Sequence, residues 1–463
     1  MAFYKISLVR TLLYVCVMQS LAFDLVSATE EKDIAFWNSV YKENHVVQIH
    51  ISANREAWDA MQPKKVERNP DGPKVHFGNK FGYAKADITM DGEVFKDAGL
   101  RFKGNSSYRF AGRSLKKPFK IDTNRFIKGQ KFHGRTKINL SNAFLDSAFM
   151  KEKLGYEIYR AAGIPTPGVG WAAVTLTVEG IAEKKHLGVY CLIEQVDDRY
   201  LTRKFGNNSK DSLLMKPEAV DDWEYFGSEL EKYQRYGIKY GKNNTKLIKR
   251  FSELLKLIEQ GSKTEFEKQI GNRLDLNFFA GYLAATSILV NIDSYVGMPH
   301  NYYLMIDKAN EKLRILPWDL NETFGTFTMG RSPEMLVKWD IDKPWISKRR
   351  LSERLFEMES FRKRYRAIIV KLMKEDFIEE KLFKRISAFE KAIIPHIKKD
   401  EIGKGLPGMY MGINGDSSGV NKAVGRRVFA IKPFIRQRIA SVNDQLAGKA
   451  EGEKIQGRRK RPR

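Results

Sequence analysis

Apolar and polar residues alternate with a period of two through the first half of the chain and recur at helical spacing through the second. Val46-Val47-Gln48-Ile49-His50-Ile51 reads as a strand, followed by a short helix around Ala57 to Met61. From Tyr83 to Phe102 the alternation resumes on both sides of Asp91-Gly92, a turn dipeptide that predicts a hairpin. Gly104-Asn105-Ser106-Ser107 is expected to be a polar loop, and Pro118 to Asp122 another strand. A helix is predicted from about Ser147 to Ala162, stopped by Gly163 and Pro165. Trp171 to Val178 and Leu187 to Val196 complete the strand-forming half.

Beyond Asp197 the period changes. Leu247, Phe251, Leu254, Leu255 and Ile258 mark one amphipathic helix, and Leu276 to Val290 a more apolar one. A hairpin over 301–318 follows, then helices over 360–373, 379–396 and 427–446. The pattern predicts an α+β chain with a sheet-rich N-lobe of about 44–197 and a mainly helical C-lobe of about 198–446. Trp223 to Tyr240, aromatic and charged, reads as a substrate loop or an insertion.

Composition refines this picture. With 42% apolar and 12% aromatic residues among 463, the chain has enough hydrophobic material for a large core, which excludes a disordered protein. Lysine and arginine outnumber aspartate and glutamate by 81 to 56, a formal charge of +25 that favours phosphates, nucleotides, anionic surfaces or acidic peptides. No zinc-finger spacing, basic zipper or RNA-binding aromatic signature accompanies it, so no specific nucleic acid is expected.

Lys5 and Arg10, the apolar run Thr11 to Met18 and the small residues Val26-Ser27-Ala28 read as a signal peptide over 1–28. The domain then spans 29–446, and the basic stretch 447–463 is expected to be a disordered tail. No later segment has the roughly 18 consecutive apolar residues of a membrane span. The expected location is secreted, periplasmic or at the cell surface, with no membrane span after cleavage. Cys191 is left as the lone mature cysteine once Cys16 departs, which removes support for zinc or thiol chemistry. Export without disulfides fits a bacterium, as do sequons at Asn105 and Asn321 within segments assigned to chemistry.

The chemistry concentrates in Asn291-Ile292-Asp293-Ser294, His300-Asn301-Tyr302-Tyr303-Leu304 and Leu316-Pro317-Trp318-Asp319-Leu320-Asn321. An apolar helix delivers Asp293 into a loop, and the hairpin brings Asn301 and Asp319 to one end of two paired strands. Their oxygens are hard ligands that suit Mg²⁺ or Mn²⁺ held jointly with phosphate. A separate carboxylate, Asp293, could orient and deprotonate a hydroxyl. The loop Gly104 to Ser107 offers backbone N–H groups and hydroxyls to phosphate, and Lys117 or Lys120 follows it; only one of Lys116 and Lys117 can face the cleft. In the helix over 147–162, Met150, Leu154, Ile158 and Ala161 form one stripe, and Glu152 lies among Phe149, Tyr156 and Tyr159 on the other. A carboxylate so covered calls for a cationic partner, such as a cleft lysine.

Taken in order, Arg101 to Ser107, Lys116 to Ile121, Met150 to Leu154, Gly188 to Glu194, Asn291 to Asp293, His300 to Leu304, Pro317 to Asp319 and the stretch from Phe434 to Arg438 resemble the CotH (spore coat protein H) kinase family over roughly residues 44–446. The resemblance implies a two-lobed protein-kinase-like fold that uses ATP with Mg²⁺ or Mn²⁺. It implies that Gly104, Asn105, Ser106 and Ser107 cover the phosphates, that Lys117 or else Lys120 binds them, and that Glu152 pairs with that lysine. Glu194 would lie near the adenine hinge, Asp293 would be the base, and Asn301 and Asp319 would hold the metal. Asn321 stands where the family often has a second aspartate, keeping an oxygen ligand and losing a charge. The implied activity is secreted, ATP-dependent phosphorylation of Ser or Thr on surface or coat proteins. The alternatives are AMP transfer, and a catalytically weak, adhesin-like surface protein that keeps the fold.

Overall fold

The computed structural model describes residues 30–63, 80–206, 209, 211–218, 222–346, 348–397, 405–422 and 424–455. The signal-peptide assignment and the end of the basic tail lie outside these residues.

After helix α1 (30–41), the first half builds a closed barrel. Its strands are β1 (Val46–Ala53), β2 (Ala84–Met90), β3 (Glu93–Phe102), β4 (Phe119–Asp122), β5 (Lys137–Ser141), β6 (Val169–Val178) and β7 (Ala182–Glu194). The order around the barrel is β1-β2-β3-β4-β5-β7-β6. Neighbours are antiparallel except β1 and β6, which run parallel and close the ring. The β2–β3 turn has Asp91 at φ 45° and Gly92 at φ 90°, the left-handed pair a tight hairpin requires. Three helices decorate this half: α2 (Arg55–Ala60), α3 (Ser106–Phe110) and α4 (Lys151–Ala161).

The second half is mainly helical. Helices α5 (Asp198–Phe205), α6 (Thr245–Gln260), α7 (Lys263–Arg273) and α8 (Leu276–Ile288) surround a four-stranded sheet. Its strands β8 (Leu213–Met215), β9 (Ile238–Tyr240), β10 (Tyr302–Ile306) and β11 (Leu313–Pro317) are ordered β11-β10-β8-β9. Then follow α9 (Pro333–Val337), α10 (Arg350–Glu357), α11 (Glu359–Glu375), α12 (Glu379–Ile397), α13 (Gly405–Asn414), a short pair β12 (Val420–Asn421) and β13 (Val428–Phe429), and α14 (Ile431–Leu446). No helix among the described residues is long and apolar enough to cross a membrane.

Strand alternation divides the hydrophobic residues between two cores. Phe102, Phe119, Ile121, Leu140, Tyr190 and Leu192 fill the barrel. Trp171, Ala173, Val189, Cys191 and Ile193 point out of the same barrel and join the larger core beneath α4 and α8. Strands β6 and β7 are therefore buried on both faces, which is why they read as nearly continuous apolar runs.

The mixed α+β character and the order of the two halves agree with the sequence pattern. The sheet-rich half departs from an independent lobe, because it is a closed barrel sharing two strands with the second core. The predicted loop at Ser106-Ser107 is instead the start of α3. The helix expected from Ser147 begins at Lys151, after an irregular segment with positive φ at Ala143, Leu145 and Phe149. Residues 447–455, expected to be a disordered tail, are largely exposed but tied down at two points: Ile455 is buried, and Glu453 exchanges backbone hydrogen bonds with Lys338 and Asp340. The stretch from Trp223 joins the core, with Trp223, Tyr233 and Tyr236 fully buried and β9 paired to β8.

Candidate active site

Register places a polar row on the outer face of the barrel. Leu100, Phe102, Phe119, Ile121, Ile138 and Leu140 point inward, so Arg101, Lys120 and Asn139 must point outward. Arg101 pairs directly with Lys120, and Lys120 with Asn139. Lys103 and Lys137 continue the row on the same face. Opposite stand Lys216, Lys239, Tyr240 and Tyr303 from the four-stranded sheet, and between the two faces lies a cavity of about 450 Å³. Six cations (Arg101, Lys103, Lys120, Lys137, Lys216 and Lys239) line it against one carboxylate, Glu218. Gly104 and Asn105 form part of its rim; Gln195 and Val196, just past β7, form its back.

The crowding of like charge is visible in Lys120. Its ammonium donates to Gln195 Oε1 at 2.5 Å, and its pKa is lowered to about 7 by burial first and by Arg101, Lys103, Lys137 and Lys216 after it. Burial and crowded like charges both disfavour its charged form, and the cations lining the cavity leave it at positive potential.

Lys103 leads from this cavity to the carboxylates. Its ammonium lies over the Trp318 ring at 5.7 Å, burial pushes its pKa down, and the charges of Asp319 and Glu152 oppose that. Glu152, in the first turn of α4, is fully buried. Neither of its oxygens has a well-aligned hydrogen bond. Burial and then Asp319 raise its pKa to about 8, while Lys103 and the Ser141 hydroxyl pull it down. The cation whose charge acts most on Glu152 is Lys103, without a direct ion pair between them, while Lys117 and Lys120 are engaged elsewhere. Lys117 precedes β4, so strand alternation does not aim it at the cleft. Its ammonium donates to the Gly112 carbonyl at 2.5 Å and lies 4.6 Å from the Tyr108 ring centroid.

The β10–β11 hairpin does bring Asn301 and Asp319 to one end. Tyr302 pairs with Pro317, and Trp318 N–H donates to the Asn301 carbonyl at 3.1 Å. Both residues have left-handed backbones, φ 60° for Asn301 and 59° for Asp319. Asn301 Nδ2 donates to Asp293 Oδ2 at 2.9 Å and to the Asp293 carbonyl at 3.1 Å, which turns its amide oxygen away from Asp293. His300 Nε2 lies 3.0 Å from Asp293 Oδ1. Burial depresses the His300 pKa, but the hydrogen bond and charge of Asp293, then the charge of Asp319, raise it on balance. Helix α4 braces both loops: the Asp319 N–H donates to Tyr156 Oη at 3.2 Å, and Asn291 Nδ2 to Tyr159 Oη at 3.1 Å.

Two further placements differ from expectation. Glu194 ends β7 facing away from the row of Lys120 and Asn139. It is held by Arg135 at 2.8 Å, by Arg203 and by the Gly168 N–H at 2.9 Å, and Gln195 takes the position beside the cleft. Asn321 Nδ2 donates to the Phe144 carbonyl at 2.6 Å, so only its oxygen remains for a cation. Ser106 and Ser107 stand behind Gly104 and Asn105 and do not line the cavity.

Sequence reasoning missed Lys103 and Glu322. Lys103 follows from extending the outward parity of Arg101 by two residues. Glu322 is buried, paired with Arg426 Nη1 at 3.3 Å, and raised to about 8 by burial and then Asp293, against the pull of Arg426. Among the described residues, no three His, Cys, Asp or Glu side chains converge closely enough to cage a metal. The donor set of one aspartate and two amide oxygens instead suits a cation whose other ligands come with a phosphate. The unsatisfied Glu152 oxygens and the two raised glutamates fit such a missing positive charge.

These features, a basic cavity ending in clustered carboxylates at the open end of a hairpin, occur in a stretch that the CotH kinase protein family profile matches over residues 100–442. The chain belongs to that family. It is also similar to the inner spore coat protein H of Bacillus subtilis (strain 168), with 25% identity over 285 residues, covering 60% of this chain and 74% of that protein.

Proposed function

We propose that this protein is a kinase-like phosphotransferase that binds ATP with Mg²⁺ or Mn²⁺ in the basic cavity and phosphorylates Ser or Thr on surface or coat proteins. The observation that carries this reading is Lys103, set between the anion-attracting cavity and the Glu152–Asp319 carboxylates. Family membership supports the kinase-like reading, and the relation to a spore coat protein supports a coat or surface setting. Fold and family together favour treating barrel and helical half as the two lobes of an atypical kinase. Export as a secreted or periplasmic protein belongs to the same reading.

Asp319, with the amide oxygens of Asn301 and Asn321, would hold the cation. Bound there, the cation would neutralise phosphate oxygens and favour transfer. Lys103 and Lys120 would bind phosphate, with Gly104 and Asn105 at the rim. Asp293, oriented by Asn301 and His300, would accept the substrate hydroxyl proton. A second reading, a weakly active surface-binding protein, is favoured by one feature: Asn321 brings no charge to the site and commits its amide nitrogen to Phe144.

The test is incubation with γ-labelled and α-labelled ATP plus Mn²⁺ or Mg²⁺, using casein, histone and spore or cell-surface extracts as acceptors. Transfer of the γ label by wild type, reduced at least about a hundredfold in Asp319→Ala, is the expected outcome. Transfer of the α label indicates adenylylation. No transfer of either label to any acceptor or to the protein itself leaves the binding reading.

A further inference from the structure

A second cavity, of about 540 Å³, lies behind the one described above, enclosed by α1, the loop before β5, α4 and α5. Nothing in the proposed reaction uses it. Its volume falls in the range of sites that enclose small organic ligands.

One wall is aromatic. Trp37 and Tyr41 stack at 5.4 Å, and the Arg135 guanidinium lies 3.8 Å over the Trp37 ring. Tyr200 stands across from them. The remaining lining is cationic. Lys42, Arg135, Lys137 (which also lines the front cavity), Lys153, Arg160, Arg199, Arg203 and Lys204 supply eight basic side chains against the five carboxylates of Glu30, Asp33, Glu157, Glu194 and Asp197.

Several of those carboxylates are already committed. Glu194 is consumed by Arg135, Arg203 and the Gly168 N–H. Asp197 caps α5 by accepting from Tyr200 N–H at 3.2 Å, and Glu157 pairs with Arg385 outside the lining. Arg160 meets only neutral acceptors, Thr166 Oγ1 at 2.9 Å and the Pro167 carbonyl at 3.3 Å. Among the described residues Lys204 has neither a hydrogen bond nor an ion pair. Burial lowers its pKa, and Arg160, Arg203 and Arg135 lower it further against Glu194. Lys153 is driven to about 7 by burial, with Arg385 and Arg160 adding to the effect and Glu157 opposing it. Fixed guanidinium groups beside rings suit a planar or aromatic group carrying phosphate, since each guanidinium can donate two parallel bonds to its oxygens.

We propose that this rear cavity is a separate binding site for a phosphomonoester, its phosphate held by Arg160 and Lys204 and its organic part against Trp37, Tyr41 and Tyr200. The site is coupled to the cleft through α4. Tyr156 lines the rear cavity, while its hydroxyl accepts the Asp319 N–H on the other side of the helix. Glu152, one turn earlier, feels the charges of Asp319 and Lys103. An occupant that pulls on Arg160 and Lys153 thus bears on the same helix that sets the carboxylates.

Phenyl phosphate titrated calorimetrically into the full chain tests this. Three proteins are compared: wild type, Arg160→Gln with Lys204→Gln, and Lys120→Gln with Lys239→Gln in the front cavity. The rear pair is expected to weaken the tighter binding event by about tenfold or more, and the front pair to change that event by no more than about twofold while removing any second event at the front cavity. Equal binding by wild type and the rear pair, a loss confined to the front pair, or no binding by wild type at millimolar concentration overturns the proposal. Should the rear pair not fold, Lys204→Gln alone decides it, with an expected weakening of about threefold against none. A phosphoserine peptide that displaces phenyl phosphate identifies a protein-borne ester as the occupant; a peptide that does not, alongside tight phenyl phosphate binding, identifies a free one. Because the readout is binding at Arg160 and Lys204, it stands or fails independently of label transfer from ATP.

Discussion

Glu152 binds its proton more tightly when folded, near pH 8, than in an unfolded chain, where a glutamate titrates near 4.5. Between those values the native state holds more protons than the unfolded one, so this residue costs stability as pH rises. Glu152→Gln removes that cost. Without divalent cation, the variant should gain on wild type steadily from pH 5 to pH 8, by on the order of a few kcal/mol, in urea titrations at each pH. Added Mg²⁺ or Mn²⁺ with ATP should shrink the difference by satisfying the carboxylates of wild type. At the same scale, Lys103→Met should weaken nucleotide binding about tenfold, while Lys117→Met should change it by less than about twofold. The opposite ranking would return Lys117 to the site.

That Asn301 and Asp319 meet at one end of a hairpin beside Asp293 was legible in the sequence; the cation whose charge acts on Glu152 was not. Asp293, Asn301 and Asp319 could be placed because one hairpin, with its turn and register, lies within a short stretch of chain. Lys103 was hidden because it falls just past the last residue of β3, where strand parity is easily abandoned. Glu194 was misplaced by one position of alternation, since its neighbour Gln195 faces the cleft.

Among elements, α4 carries the most consequence for function, and it is wedged between α8 and the loop after β11. Gly281 of α8 permits the approach: a Cβ there would lie 2.3 Å from the Ala162 carbonyl oxygen. Gly281→Ala should push the end of α4 outward and cost about 1–3 kcal/mol, read as a lower urea midpoint. Gly271 in α7 is the control, because a Cβ there would meet only Leu276 Cδ1 at 3.6 Å. Gly271→Ala should leave stability unchanged or raise it by up to about 1 kcal/mol. Strong local signals, such as Asp91-Gly92 and the spacing in α6, made most elements readable. Strand β5 escaped because it is short and begins at Lys137 within a polar stretch, and only its partners β4 and β7 define it.

At the scale of the whole molecule, the C-terminal residues act as a strap. Trp339 and Glu453 form a parallel bridge, and Ile455 closes over the larger core. A chain ending after Gly448 should lose about 2–3 kcal/mol of stability, seen as a lower thermal midpoint with unchanged far-ultraviolet dichroism. An unchanged midpoint would mean the strap adds nothing. Barrel closure was not readable from the sequence, because the parallel pairing of β1 with β6 joins residues more than a hundred positions apart. Alternation tells which face of a strand is wet, not which distant strand lies beside it.

The doubly buried strands set a limit on how the cleft can open. Trp171, Cys191 and Ile193 root one side of the barrel in the helical half, so the two bodies share a spine, as the covers of a book do, and cannot swing apart as free clamshell halves. Access for a large substrate must come from the fore-edge, where Gly104 and the short helix behind it overhang the basic row. Traffic through the cleft would then be governed by a lip of a few residues, with the bulk of the molecule standing still.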